Sequence, residues 1–173
     1  IQPHLIREAI KDNTILISIH HVNNELGTIQ SIAEIGSIAF ESEIPFHTDA
    51  AQSFCKLDID VDDLDIDMLS ISGHKIFGPK GIGALYVRDA RNAELIPLIH
   101  GGGQERGLRG GTSPTPLIVG LAAAVTHFPQ QYSDTQIELL NKKLQGYSYK
   151  RNGGVNVLPT IYNITFNSDE DVQ

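Results

Sequence analysis

The sequence predicts an α/β fold with an at least partly parallel sheet, and two patterns carry that prediction. Four short runs of aliphatic and β-branched residues, at 14–19 (TILISI), 44–47 (IPFH), 68–71 (MLSI) and 84–87 (ALYV), read as buried strands. Between and beyond them lie segments with apolar residues at helical spacing, so strands and helices alternate. In chain order, residues 3–11 come first, with Leu5, Ile6, Ala9 and Ile10 at helical spacing. The first strand leads into a polar loop, HHVNNELG. Ser31 follows, with Glu34 three residues on, the spacing of a capping box for a helix carrying Ile32, Ile35, Ile38 and Ala39. The second strand ends in Thr48-Asp49, and from 58 to 68 Asp alternates with aliphatics, as expected of a solvated strand edge and turn. The third strand opens into SGHKIFGPKGIG, the fourth follows, and a glycine-rich arm covers 101–111. A helix of Leu, Ile, Val and Ala is expected from Pro116 to about 128, and a polar helix over 136–144. A turn at 152–154 and a last strand over 161–166 complete the chain. The change of helix character near 130–133 is the expected domain boundary, dividing 1–131 from 132–173.

Composition narrows the function classes. The 173 residues fit one ordinary domain, or one plus a piece of another. With 13 Lys+Arg against 21 Asp+Glu, no global basic field exists to hold a polyphosphate, so nucleic acid is not an expected partner. A single Cys rules out an intramolecular disulfide framework and any multi-cysteine metal site, and fits a reducing compartment. The longest apolar runs fall far short of a bilayer span, and no signal peptide is visible. The expectation is a cytoplasmic chain without a membrane partner or a metal.

Three successive strand ends carry polar clusters: Asn23-Asn24-Glu25, then HTDAAQ at 47–52, then Ser72-Gly73-His74-Lys75. In open α/β sheets ligands bind at the carboxyl ends of strands, so three such ends point to one convergent site. Lys75, just after a buried strand, either is partly desolvated, which lowers an amine's proton affinity and frees it to attack a carbonyl, or is a solvated loop lysine, the commoner case in loops. Lys80, in the same turn, reads as a surface charge. Asp49 has two readings that spacing leaves equal: partner of a cationic ring nitrogen such as that of pyridoxal phosphate, or N-cap of AAQSF. Ser72, Gly73 and His74 offer a hydroxyl, a backbone N–H and an imidazole suited to a phosphate, or form a simple tight turn. The arm HGGGQERGLRGGT combines glycine backbone with Arg106 and Arg109 and ends in Thr112, which suits an interaction or site-completing arm.

Other motifs fail on inspection. Asp58, Asp60 and Asp62 imitate a calcium loop, but Asp63 stands where Gly is needed and Leu69 where Glu is. GPKGIG lacks the Gly-Lys-Ser/Thr of a Walker loop. His20 and His21 point apart in extended chain, and Cys55 reads as a half-buried bystander.

Taken together, HVNNELGTIQ, HTDAAQ, SISGHKIFGPKGIGALYVR and HGGGQERGLRGGTSPTP resemble the cysteine desulfurases of the NifS/IscS type, within the class V branch of the fold-type I pyridoxal-phosphate enzymes. The resemblance implies part of a cofactor-binding large domain, mostly parallel with helices on both faces, over 1–131, and the start of a small C-terminal domain over 132–173. Lys75 matches the lysine that binds pyridoxal 5'-phosphate through a Schiff base and moves protons on the substrate. Asp49 matches the carboxylate on the pyridine nitrogen, Gln52 the amide on the phenolic oxygen, and Asn24 an asparagine on the cofactor side of the substrate pocket. Ser72, Gly73 and His74 match phosphate-holding positions. Thr112 matches a threonine that reaches the phosphate of the neighbouring subunit, which implies a homodimer.

The implied reaction takes L-cysteine to L-alanine and passes sulfur, as a persulfide, toward sulfur-acceptor or scaffold proteins of iron–sulfur assembly. The family's chain is more than twice as long. The N-terminal phosphate loop, the ring-stacking histidine, the sulfur-accepting cysteine and the carboxylate-binding arginine have no counterpart here, and Cys55 does not match that cysteine. The sequence therefore corresponds to a central piece, expected to be inactive alone. Another class V enzyme, such as an aminotransferase or selenocysteine lyase, and a non-catalytic scaffold are the alternatives.

Overall fold

A computed structural model of the chain describes residues 1–91, 95–129 and 134–167, with the side chains of 134–136 excepted. In order, the elements are α1 (Pro3–Ala9), β1 (Ile17–His20), α2 (Ile32–Glu41), β2 (Phe46–Asp49) and β3 (Met68–Ser72). A 3-10 turn (Gly73–Ile76), β4 (Gly83–Val87) and a second 3-10 turn (Glu105–Gly107) follow. The chain continues through α3 (Thr115–Thr126), α4 (Asp134–Lys143), β5 (Tyr149–Arg151) and β6 (Ile164–Phe166). The main sheet has the order β1-β2-β3-β4, with β1-β2 and β2-β3 parallel and β3-β4 antiparallel. β5 and β6 form a separate antiparallel pair.

The core lies between α2 and one face of the sheet. Ile32, Ile35 and Ala39 of α2 meet Ile17, Phe46 and Leu69 of the strands, and Ile66 closes the cluster from the loop before β3. The helix lies so close to that loop that a Cβ at Gly36 would stand 2.1 Å from the Leu64 carbonyl oxygen. No side chain larger than glycine fits there. Arg7 of α1 bridges to Glu41 at 2.6 Å and ties the first helix to the second.

Several expectations change. β1 begins at Ile17, not at 14: Thr14 is held in a turn with Lys11, and Ile17 N–H bonds the carbonyl of Pro45, which has no N–H to continue the ladder. Ser31 makes no side-chain cap, so the capping box does not form; its ψ of 67° is not that of an extended N-cap residue. Residues 58–66 form turns, not a strand edge. Asp60 Oδ1 accepts the N–H groups of Asp62 and Asp63, and Arg88 pins the loop through Asp62 and the Ile66 carbonyl. The segment after Asp49 is a run of turns, so the helix that Asp49 was to cap is absent. β5 was not expected, and β6 is shorter than 161–166. The expected boundary at 131–132 lies outside the described residues.

Candidate active site

Because β1, β2 and β3 run parallel, their carboxyl ends, His20, Asp49 and Ser72, fall on one edge of the sheet. Residues two apart in a strand share a face. Ile17, Phe46, Thr48 and Leu69 therefore turn toward α2, while Ser18, His47, Asp49 and Ser70 line the opposite face. Across that face His47 is held by two serines: Ser18 Oγ lies 2.8 Å from Nδ1 and Ser70 Oγ 2.9 Å from Nε2. Burial pushes the His47 imidazole below its usual range, partly offset by the Asp49 carboxylate. A neutral ring, with one donor and one acceptor nitrogen, suits two hydroxyl partners. This network was missed in the sequence, where its only trace is the alternation of polar and apolar residues in very short strands.

The loop after β1 divides the work of its two asparagines. Asn23 Oδ1 accepts the N–H groups of Glu25 and Leu26, at 3.0 and 2.8 Å, and so builds the turn. Asn24 is exposed and makes no hydrogen bond among the described residues. The loop is tied to β2 by the His21 N–H on the Asp49 carbonyl, 2.9 Å. Asp49 keeps its side chain exposed and uses Oδ1 to accept the Ala51 N–H at 2.8 Å, leaving Oδ2 unspent. Gln52 is half-buried, also with no side-chain partner among the described residues.

Lys75 stands in the 3-10 turn just beyond β3, exposed, with no acceptor among the described residues. Partial desolvation, one of its two readings, is not what the structure shows. That property belongs to Lys56, whose ammonium is pushed below the usual lysine range first by burial and then by the charge of Lys75. Ser72 Oγ and His74 Nδ1 are bonded to one another at 2.9 Å. Gly73 is buried, and its N–H is spent on the Ile82 carbonyl at 2.9 Å, so the expected backbone donor to a phosphate is not available there. The glycine is needed for packing: a Cβ would come within 2.9 Å of Ile82 Cγ2.

The arm of 101–111 folds back on itself, with Gly110 N–H on the Ile99 carbonyl and Gln104 Oε1 accepting the Gly111 N–H. Arg109 is partly spent on the Gly110 carbonyl at 3.0 Å. Thr112 is exposed at the end of the arm and makes no hydrogen bond among the described residues. Cys55 sits half-buried at φ 63°, and burial pushes its thiol up, with Lys56 partly opposing. It is the wrong thiol to act as a nucleophile at neutral pH.

What remains unspent at this edge is an amine (Lys75), a carboxylate oxygen (Asp49) and two amides (Asn24, Gln52). Beside them His20 Nε2 and His21 Nδ1 are buried with no hydrogen-bond partner among the described residues. The family model described as aminotransferase class-V matches residues 1–168. The chain is a class-V aminotransferase family member.

Its relatives sharpen the assignment. It is 59% identical over 141 residues to a mitosomal cysteine desulfurase of Trachipleistophora hominis, covering 80% of this chain and 32% of that one. It is 45% identical over 169 residues to the cysteine desulfurase IscS of Rickettsia typhi, 96% of this chain and 39% of that one. Among solved structures, SspA in complex with cysteine superposes with a TM-score of 0.95 at 68% identity, over 99% of this chain and 49% of that one. DndA from Streptomyces lividans gives 0.85 at 38%, over 99% and 52%. The chain thus spans between a third and two fifths of these curated relatives and about half of these structures. Class-V cysteine desulfurases are pyridoxal-phosphate enzymes, and the unspent donor set fits that cofactor: an amine for its aldehyde, a carboxylate for its ring nitrogen, amides for its oxygens. Among the described residues no helix is long and apolar enough to cross a membrane.

Proposed function

We propose that this chain is the central portion of a pyridoxal-phosphate-dependent cysteine desulfurase, which converts L-cysteine to L-alanine and passes the sulfur to an enzyme thiol as a persulfide. The observation that carries the reading is the gathering of Lys75, Asp49, Gln52 and Asn24, each with unspent polar atoms, at the carboxyl edge of β1–β3.

The cofactor, when bound, supplies an electron sink for the substrate's bonding electrons. The chain's own residues prepare that chemistry. Lys75 Nζ, free of any carboxylate, holds the cofactor and then takes and returns a proton at the substrate. Asp49, anchored through Oδ1, would hold the ring nitrogen protonated through its free oxygen. Gln52 and Asn24 would orient the ring oxygen and the substrate side. Ser72 and His74, paired with each other, would hold the phosphate, with Gly73 keeping their turn tight. Thr112, on the exposed arm, serves a neighbouring subunit, so the reading carries a homodimer with it. Sulfur-acceptor or scaffold proteins of iron–sulfur assembly, and a cytoplasmic location, follow from the same resemblance. The sulfur-accepting thiol belongs to another part of the gene product.

Borohydride reduction with pyridoxal phosphate, followed by peptide mapping, tests the reading. The complete gene product should carry an irreversible label on Lys75 and none on Lys56 or Lys80, and Lys75→Ala should lose it. A folded wild-type protein with no label at Lys75 overturns the assignment. The 173 residues alone should produce no alanine from cysteine; robust turnover would contradict the fragment reading.

A further inference from the structure

The loop that presents Asn24 is gripped from the far end of the chain. The loop closes on itself through the isolated bridge Val22↔Ile29, and residues 153–158 cross it and add a rung of backbone pairing through Thr28↔Val157. Ile29 N–H donates to the Asn156 carbonyl at 3.0 Å, Leu158 N–H to the Gly27 carbonyl at 2.8 Å, and Thr28 Oγ1 to the Gly153 carbonyl at 2.9 Å. Leu158 is 2% exposed, and Val22 beneath the loop is 3% exposed.

The fit is tight on both sides. A Cβ at Gly153 would stand 2.4 Å from the Leu26 carbonyl oxygen, and one at Gly27 would touch Ile161 Cβ at 3.0 Å. Both glycines also have positive φ, 98° and 74°. The loop therefore lies between two anchors: the end of β2, through His21 N–H on Asp49, and the strap. Asn24 itself contributes nothing to holding it.

We propose that residues 153–158 form a clamp that positions Asn24 at the active-site edge, with Leu158 and Thr28 as its positioning residues. The proposal rests on the cofactor reading above only for what Asn24 then touches. Three hydrogen bonds from the strap fix the backbone at Gly27, Thr28 and Ile29, so the loop that carries Asn24 is ordered before binding. Segments that become ordered before binding raise affinity without forming a new contact.

The test uses the complete gene product carrying Thr28→Val, Leu158→Ala, Asn24→Ala and the pairwise combinations. Thr28→Val keeps the side chain's shape and removes the bond to Gly153, so it serves where Leu158→Ala fails to fold. Hydrogen exchange should show lost protection at the amides of Gly27 and Ile29 and unchanged protection in β2. Titration with pyridoxal phosphate should give a dissociation constant raised about tenfold by Asn24→Ala, and by a clamp variant to a similar extent. The double variant should be no weaker than the weaker single, because the clamp acts through Asn24. Unchanged exchange in the loop overturns the clamp. Altered exchange with additive effects on affinity, or an Asn24→Ala variant of unchanged affinity, overturns its positioning role. If borohydride leaves Lys75 unlabelled in wild type, the cofactor reading fails, and the exchange experiment still decides the clamp.

Discussion

Two apolar helices of this chain meet very different surroundings. α2 buries Ile32, Ile35, Gly36, Ile38 and Ala39 of its ten residues, while α3, twelve residues long and without a charge, buries none. α2 is amphipathic and packs its apolar face on the sheet; α3 is apolar on every side. A helix of that second kind belongs to the inside of a larger body. The described residues touch it along one line, where a Cβ at Gly120 would lie 2.5 Å from Pro79 Cγ. Val119 stays 62% exposed, and the neighbouring strand β4 shows Leu85 at 52%. The α2 side is thus a finished core and the α3 side, among the described residues, an unfinished one.

The largest expected effect falls on the finished side. Phe46 is fully buried at the centre of the α2–sheet core. Phe46→Ala should cost about 3–5 kcal/mol, the usual range for a buried phenylalanine truncated to alanine. Urea midpoints of the folded chain measure it. A loss below about 1 kcal/mol would mean that the core is not the seat of stability and would erase the contrast between the two sides.

Much of this was legible in the sequence, for reasons that the two sides make plain. The strands at Phe46–Asp49 and Met68–Ser72 are short, aliphatic and bounded by turn residues, and α2 repeats its apolar residues at helical spacing, so local pattern and tertiary packing agree. The start of β1 falls later than expected because Thr14, Ile15 and Leu16 suit a strand as well as Ile17 does, and nothing local says that Pro45 ends the pairing. The capping box does not form because Ser31, at ψ 67°, lacks the extended backbone that aims an N-cap hydroxyl at the first turn. At the site, the polar clusters at three strand ends already put Lys75, Asp49 and Asn24 on one edge of the sheet. The state of Gly73 and Lys56 is not legible in the sequence, because it depends on how the chain folds back: the Ile82 carbonyl for one, burial and then the charge of Lys75 for the other. The grip of Leu158 on the Asn24 loop spans still more chain, and no local pattern encodes it.

A smaller effect is expected from pH, and it separates two histidines of the site. His21 is buried with Nδ1 unpaired, and burial holds its imidazole below the usual range. His47 is shifted in the same direction, but serines satisfy its ring and Asp49 opposes the shift. As pH falls below about 6.5, the unfolded state takes up these protons first. The unfolded chain then binds more protons than the folded one, so stability declines through that window and is level above it. His21→Gln should flatten the decline below about pH 6.5 without changing the plateau, as read from urea midpoints. An unchanged slope would move the whole effect to His47 or elsewhere.

The smallest effect belongs to the unfinished side. Val119 lies in the middle of α3 with 62% of its surface in water, so Val119→Ser removes little that the chain itself buries. Stability of the 173 residues should change by no more than about 0.5 kcal/mol, the ordinary range for a surface substitution. Binding of a hydrophobic dye should fall at the same time, because exposed apolar area on α3 and β4 is what such a dye finds. A cost above about 1 kcal/mol, growing with protein concentration, would show that copies of the chain cover this face for one another. The same substitution in the complete gene product then gives the decisive contrast. If α3 is surrounded there, a buried valine has become an unpaired hydroxyl, and the cost rises to about 1–3 kcal/mol.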